Sequence, residues 1–124
     1  MKQHVKIVTV PIYYRGVLIF IGSPDQLRDY LYRRYPAYAS SMGDLDIPPA
    51  TAYTFKFEGD ALIYSPSIPS ESTMVHEIFH AARHILGIIG VELSDGTEEV
   101  FAYLMEYLSD QILPWLKTFS SGSR

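Results

Sequence analysis

The alternation of apolar and polar residues near the N-terminus predicts two β-strands. Residues His4 to Tyr14 alternate loosely and are rich in Val, Ile and Thr, which favours an extended conformation. Arg15 and Gly16 would then turn the chain into a second apolar strand, Val17 to Ile21. We therefore expect the domain to begin with a strand, a turn and a second strand.

A helix and a long loop are predicted next. Ser23 is a good helix-capping residue, Pro24 suits the first helical position, and Asp25 favours the positive end of the helix dipole. The apolar residues that follow recur at helical spacing: Leu27, Tyr30, Leu31 and Tyr35. Pro36 stops the helix. The composition of Pro36 to Ala50 indicates a loop, and loops of this length often border functional sites.

A hairpin and two helices are predicted in the second half of the chain. Thr54 to Glu58 alternate, Gly59-Asp60 supply a turn, and Ala61 to Tyr64 form the returning strand. Helical patterns run from Ser70 to about Leu86 and from Glu98 to Lys117. The predicted inward positions are Val75, Phe79, Ala82, Leu86 and Ile89 in the first helix, and Phe101, Leu104, Leu108, Ile112 and Trp115 in the second.

Together these elements predict an α+β fold in a single domain, residues 1–124, with a flexible tail over 118–124. We expect a small, mostly antiparallel sheet of about four strands, with an N-terminal helix, a histidine-bearing helix and a C-terminal helix. The chain is 48% hydrophobic, which is enough to form one packed core.

Charge and composition exclude several classes of protein. The net charge is −4 and no basic run exceeds Arg33-Arg34, so the electrostatic signature of a nucleic-acid-binding protein is missing. The apolar N-terminal stretch is interrupted at Pro11 and Arg15 and is too short to cross a bilayer. Without a signal peptide, membrane span or cysteine, we expect a cytoplasmic protein whose metal ligands, if any, are imidazoles and carboxylates.

The candidate chemistry lies in His76-Glu77-Ile78-Phe79-His80, an H-E-x-x-H motif on a predicted helix. Residues four apart lie on the same helix face, so His76 and His80 can reach one metal ion. Zn²⁺ accepts such nitrogens at about 2.0–2.1 Å. Glu77 lies about 100° around the helix, where it could take a proton from a zinc-bound water. The motif predicts a zinc site with Glu77 as its general base.

A third histidine, His84, follows at the same spacing. Eight residues separate it from His76, a rise of about 12 Å, so three such side chains cannot converge on one ion. No glycine lies between His80 and His84 to turn the chain away from the helix. We expect His84 on the helix surface or at the rim of a cleft.

The candidates for a third metal ligand are Glu98 and Glu99, at the start of the next predicted helix. Acidic residues are common at helix starts because they complement the helix dipole, so neither is a ligand by position alone. Helical geometry puts Glu98 nearer the apolar face of its helix. From the residues alone, the choice between them stays open.

H-E-x-x-H followed by "EVFAY", Glu99 to Tyr103, resembles the gluzincin zinc metallopeptidases. The similarity extends to the small single-domain H-E-x-x-H proteins predicted in phages and mobile elements. It implies a third ligand on the next helix, and aligning Ala102 with the alanine of the family selects Glu99. Where the family often has Asp, this chain has Tyr103, which could hydrogen-bond a ligand histidine or stabilise an oxyanion.

The resemblance also implies how a substrate binds. In gluzincins an edge strand just before the active-site helix pairs with an extended peptide, and Ala61 to Ser65 resembles that strand. The prediction is therefore a zinc-dependent metallohydrolase, most simply a peptidase, acting on a peptide or protein bound along Ala61 to Ser65. The alternative is a non-catalytic zinc-containing binding or regulatory module of phage or mobile-element type, which would not need Glu77.

Overall fold

A computed structural model of the chain describes residues 2–37, 52–57 and 59–122. Its strands and helices are β1 (His4–Val10), β2 (Arg15–Ile21), α1 (Pro24–Arg34), β3 (Tyr53–Phe57), β4 (Asp60–Ser65), α2 (Glu71–Ile88) and α3 (Glu98–Gly122). This order of strands and helices confirms the predicted α+β class. Most of the predicted loop Pro36 to Ala50 lies outside the described residues, and so does Glu58.

The four described strands form one sheet in the order β1-β2-β4-β3. β1 pairs with β2 and β3 with β4 in antiparallel fashion, whereas β2 and β4 are parallel. The predicted small, mostly antiparallel sheet is therefore confirmed. In its centre, Leu62 of β4 pairs with Leu18 of β2 on one side and with Phe55 of β3 on the other.

The predicted position of Ala61 to Ser65 at the edge of the sheet is wrong. This segment lies in β4, which has a neighbouring strand on both sides, and among the described strands β3 is at the edge instead. A strand covered on both faces has a nearly continuous apolar sequence, and "ALIY" of β4 fits that pattern. The alternating sequence of β3 is the one typical of a partly exposed strand.

Two hydrophobic clusters cover the two faces of the sheet. On one face, Val17, Ile19 and Ile21 of β2 pack in the same cluster as the buried residues of α2 and α3. On the other face, Leu18 and Phe20 pack with the buried residues of α1. Side chains alternate along a strand, so β2 supplies both layers and is apolar throughout. Helices α2 and α3 therefore share one side of the sheet, opposite α1.

The ends of the first elements follow local chemistry. β1 stops at Val10 and the chain turns over residues 11–14, where Tyr14 has a φ of 53°, so the predicted turn at Arg15-Gly16 was placed too late. α1 begins as predicted at the Ser23 cap. The Ser23 hydroxyl accepts from the backbone N–H of Gln26 at 3.1 Å, and the Gln26 side chain accepts from the backbone N–H of Ser23 at 2.8 Å.

Helix α3 runs antiparallel to α2, because Lys117 near its end lies 3.7 Å from Glu71 at the start of α2. α3 continues to Gly122, into the segment for which a flexible tail was predicted. Aromatic packing extends the helix, since the Phe119 ring stacks on His4 with ring centroids 3.9 Å apart. Within the described ranges, neither α3 nor another helix has the length and apolarity needed to cross a membrane.

The inward face of α2 agrees with the predicted one at Ala82 and Leu86 and differs from it elsewhere. Its buried apolar residues are Met74, Ile78, Ala81, Ala82, Ile85 and Leu86. Val75 and Ile89, predicted to point inward, are 37% and 40% exposed. α2 packs against both the sheet and α3, which requires a wide apolar stripe centred near Ile78. In α3 the inward prediction holds at four positions, while Trp115 is only partly buried and Leu116 is buried in its place.

We expect Ile78→Ala to lower the free energy of unfolding by about 2–5 kcal/mol, because it leaves a cavity in the core. Val75 lies about one helical turn before Ile78 at an exposed position, so Val75→Ala is expected to change the free energy of unfolding by less than about 1 kcal/mol. Urea unfolding followed by circular dichroism measures both variants. Equal losses in the two variants would contradict the observed orientation of α2.

Candidate metal site

Helix α2 is held at its start by Ser70, whose hydroxyl accepts from the backbone N–H of Thr73 at 3.2 Å. Its apolar stripe packs inward, so the residues on its remaining sides face solvent or the edge of the sheet. His76 and His80 are exposed on this outer side, whereas Glu77 points toward β3. The helix therefore presents the whole H-E-x-x-H motif next to the edge strand.

The two motif histidines are close together. Nε2 of His76 and Nε2 of His80 are 3.2 Å apart, and the ring planes meet at 74°. Two zinc–nitrogen bonds of about 2.0–2.1 Å meeting near the tetrahedral angle of about 109° would separate the nitrogens by about 3.3–3.4 Å. The pair therefore fits a zinc ion in both donor type and spacing.

Glu77 is held in place by a residue that sequence reasoning missed. The hydroxyl of Thr54 on β3 donates to Oε1 of Glu77 at 2.7 Å and lies 3.2 Å from the backbone carbonyl oxygen of Glu77. The Glu77 side chain is only 7% exposed, so this hydrogen bond satisfies a largely buried carboxylate. Twenty-three residues separate the two partners, and the alternation that predicts β3 does not indicate this contact.

A cleft of about 840 Å³ lies between β3 and α2. Residues 52–56 form one wall, and the side of α2 from His76 to Ile88 forms the other. His76, Glu77 and His80 lie together along this second wall. The cleft is thus large enough for several residues of an extended chain and contains the predicted metal ligands and base.

His84 lines the same cleft and is half-buried. Burial lowers the pKa of its imidazole, and the positive charge of Lys56 adds to that effect. A hydrogen bond to the backbone of Asp60 and the Asp60 carboxylate act on this pKa in the opposite direction. Nε2 of His84 is buried and has no hydrogen-bond partner in the described part of the chain, which also favours the neutral form.

The lowered pKa of His84 predicts a pH-dependent stability. The unfolded chain takes up the proton at a higher pH than the folded chain, so acid favours unfolding. We expect the free energy of unfolding to fall as the pH drops from about 7.5 through the ordinary histidine pKa of about 6.5. His84→Gln should remove part of this decrease, measured by urea unfolding in the presence of a chelator. An unchanged pH dependence in the variant would contradict the assignment.

The other predicted site residues lie apart from the histidine pair. Glu98 and Glu99 are exposed at the start of α3, Tyr103 is 67% exposed, and none of the three lines the cleft. Within residues 2–37, 52–57 and 59–122, no group of three or more His, Cys, Asp or Glu side chains is positioned to hold a metal ion. The structure thus brings together His76, Glu77 and His80 but not the predicted third ligand.

The antiparallel packing of α2 and α3 explains this separation. Lys117 lies beside Glu71. In two antiparallel helices, residues at equal distances from such a contact lie level with each other. Glu99 is 18 residues before Lys117 and Ile89 is 18 residues after Glu71, so Glu99 lies level with Ile89. That level is nine residues beyond His80, a rise of about 13 Å along α2. Because α2 continues past its second histidine to Ile88, the chain returns too late for Glu99 to reach the pair.

Comparison of the chain with protein-family models, curated proteins and solved structures found no match. The resemblance to gluzincins therefore stays a prediction that depends on the motif and its spacing.

Proposed function

We propose that this protein is a zinc-dependent hydrolase that cleaves peptides in the cleft between β3 and α2. The observation that carries the proposal is the histidine pair, with nitrogens 3.2 Å apart, next to a carboxylate held by Thr54. A hydrogen-bonded pair of surface histidines would not need a buried glutamate beside it. A water-activating site needs both groups in one cleft.

Each residue would have a distinct role. His76 and His80 would hold the metal through their Nε2 atoms. A bound zinc ion lowers the pKa of water and polarises a carbonyl group. Glu77 would accept a proton from the attacking water at Oε1 or Oε2 and deliver it to the leaving nitrogen. The Thr54 hydroxyl donates to Oε1 and would hold this carboxylate in one orientation at the wall of the cleft.

The substrate would bind along β3, not along Ala61 to Ser65 as the resemblance implied. The backbone groups of β4 are already paired with β2 and β3, whereas β3 is the end strand of the described sheet. An extended peptide could add to Tyr53–Phe57 through backbone hydrogen bonds and lie next to the histidine pair. This mode tolerates many sequences because the contacts are made by the main chain.

One observation favours the alternative, a zinc-containing binding module without turnover. Catalytic zinc sites usually have three protein ligands, and the described residues supply two imidazoles. A module that only binds a partner would tolerate a zinc site with fewer or differently arranged protein ligands. It would also bind equally well when Glu77 cannot act as a base, which separates it from a hydrolase.

The test is incubation of the zinc-loaded protein with a peptide library, with products identified by mass spectrometry. We expect cleavage by the wild type and no cleavage by Glu77→Gln. Peptides that bind to both proteins and are cleaved by neither would support the binding module. If the wild type neither cleaves nor binds any peptide, both functions are contradicted.

A further inference from the structure

We propose that the cleft selects substrates that carry a carboxylate within one or two residues of the cleaved bond, with Arg83 as the group that binds it. This inference rests on the proposed function, because it names the substrate class of the same site. The carboxylate belongs either to the C-terminus of the substrate or to an Asp or Glu side chain. Both sources present the same chemistry to a guanidinium group.

The charge of the cleft is opposite to that of the whole chain. The protein has 14 acidic and 10 basic residues, a net charge of −4. Among the described residues of the cleft walls, however, the cations Lys56 and Arg83 accompany a single carboxylate, Glu77. That carboxylate already accepts a hydrogen bond from Thr54. Positively charged side chains on the walls of a cleft favour an anionic ligand.

Arg83 is placed to reach such a ligand. It follows His80 by three residues, so it lies about 4.5 Å further along α2 on a neighbouring part of the same surface. Arg83 is exposed to the cleft and takes part in none of the ion pairs of the described residues. Arg28 and Arg33, in contrast, each have an aspartate within one turn of α1. The planar guanidinium of Arg83 can therefore hold a carboxylate by two parallel hydrogen bonds.

Lys56 contributes a second positive charge at the same end of the cleft. Side chains alternate along β3, so Lys56 lies on the side of the strand that Thr54 presents to α2. Its charge acts on the imidazole of His84, the residue that follows Arg83. Opposite walls of the cleft thus each carry one cation, Lys56 on β3 and Arg83 on α2.

The spacing sets the distance between the carboxylate and the reacting bond. An extended peptide advances about 3.3 Å per residue, and Arg83 lies about 4.5 Å beyond His80 along the helix. A carboxylate held by Arg83 is therefore one or two residues from a carbonyl group that lies over His76 and His80. The cleft would then favour cleavage close to a C-terminus or to an acidic side chain.

The test uses one neutral peptide sequence in four fluorescent forms: C-terminal carboxylate or amide, each with Asp or Asn at the second-last position. Binding to the full-length wild type, Arg83→Gln and the control Arg33→Gln is measured by fluorescence anisotropy at low salt. Arg33 is an exposed helical arginine on the other side of the sheet, so its replacement removes the same charge elsewhere. Zinc-dependent cleavage of the four peptides is measured in parallel.

We expect the wild type and Arg33→Gln to bind a carboxylate form about tenfold more tightly than its neutral counterpart. Arg83→Gln should bind both forms equally while melting at the wild-type temperature. Preference for the free C-terminus or for Asp identifies the source of the carboxylate. Equal binding of charged and neutral peptides by the wild type, or a preference that survives in Arg83→Gln, would overturn the inference. If the peptides are cleaved but the charged and neutral forms are treated alike, only this inference is overturned. If the charged forms are preferred but no peptide is cleaved, only the proposed hydrolase function is overturned.

Discussion

Glu77→Gln is expected to lower the rate of peptide hydrolysis by about a hundred- to ten-thousandfold, the usual contribution of a general base. Gln has the same shape as Glu but cannot take a proton from water. Its amide oxygen can still accept the hydrogen bond from Thr54, so the side chain should keep its position. Initial rates on a cleaved library peptide, at saturating zinc, measure this loss.

Two measurements show that such a loss is chemical and not structural. Because the side chain volume and the Thr54 contact are retained, Glu77→Gln should keep the melting temperature and zinc content of the wild type. Glu98→Gln makes the same chemical change at an exposed position outside the cleft and should keep full activity. Undiminished hydrolysis by Glu77→Gln would mean that another group activates the water.

Replacing either motif histidine is expected to weaken zinc binding by about a hundredfold. Apparent binding free energies of about 10–16 kcal/mol for structural zinc sites are shared by about four ligands, which gives about 2.5–4 kcal/mol for each ligand, and a hundredfold change in affinity corresponds to ~2.7 kcal/mol. His76→Ala and His80→Ala each remove one nitrogen of the 3.2 Å pair. Competition with a chromophoric chelator measures the affinities, and His84→Ala is the matched control on the same helix.

The same titration tests the third ligand. With α3 where the structure has it, Glu98→Ala and Glu99→Ala should both bind zinc like the wild type, because neither side chain reaches the cleft. If Glu99→Ala bound zinc more weakly and Glu98→Ala did not, this arrangement of the helices would be contradicted. That result would instead support the ligand that the gluzincin resemblance implies, and it would require the start of α3 to move toward His80 when zinc binds.

Local features of the fold could be predicted from the sequence because local chemistry determines them. The Ser23 cap, the hairpin turn at Gly59 and the helix that carries the motif each depend on residues a few positions apart. The facing of His76 and His80 follows from helix periodicity in the same way. The turn predicted at Arg15-Gly16 is an exception, since β1 ends at Val10 and the chain turns over residues 11–14.

Features that depend on which elements lie next to each other could not be predicted. The periodicity of β3 and β4 indicates two strands, but it does not say that β2 pairs in parallel with β4 and makes it internal. The Thr54–Glu77 hydrogen bond joins β3 and α2, which are far apart in the sequence, so the local pattern around either residue does not predict it. The position of Glu99 depends on how far α2 continues after His80. Sequence patterns define the ends of helices poorly.

The hydrogen bond from Thr54 gives the edge strand two tasks. In the described sheet β3 is the edge strand, which would receive a peptide, and it also supplies the hydroxyl that hydrogen-bonds Glu77, the proposed base. Recognition and chemistry would then share one short element, five residues long. In evolutionary terms, a substitution in β3 that altered which peptides bind would also disturb how well they are cut, so new specificities would arise more readily on the opposite wall of the cleft.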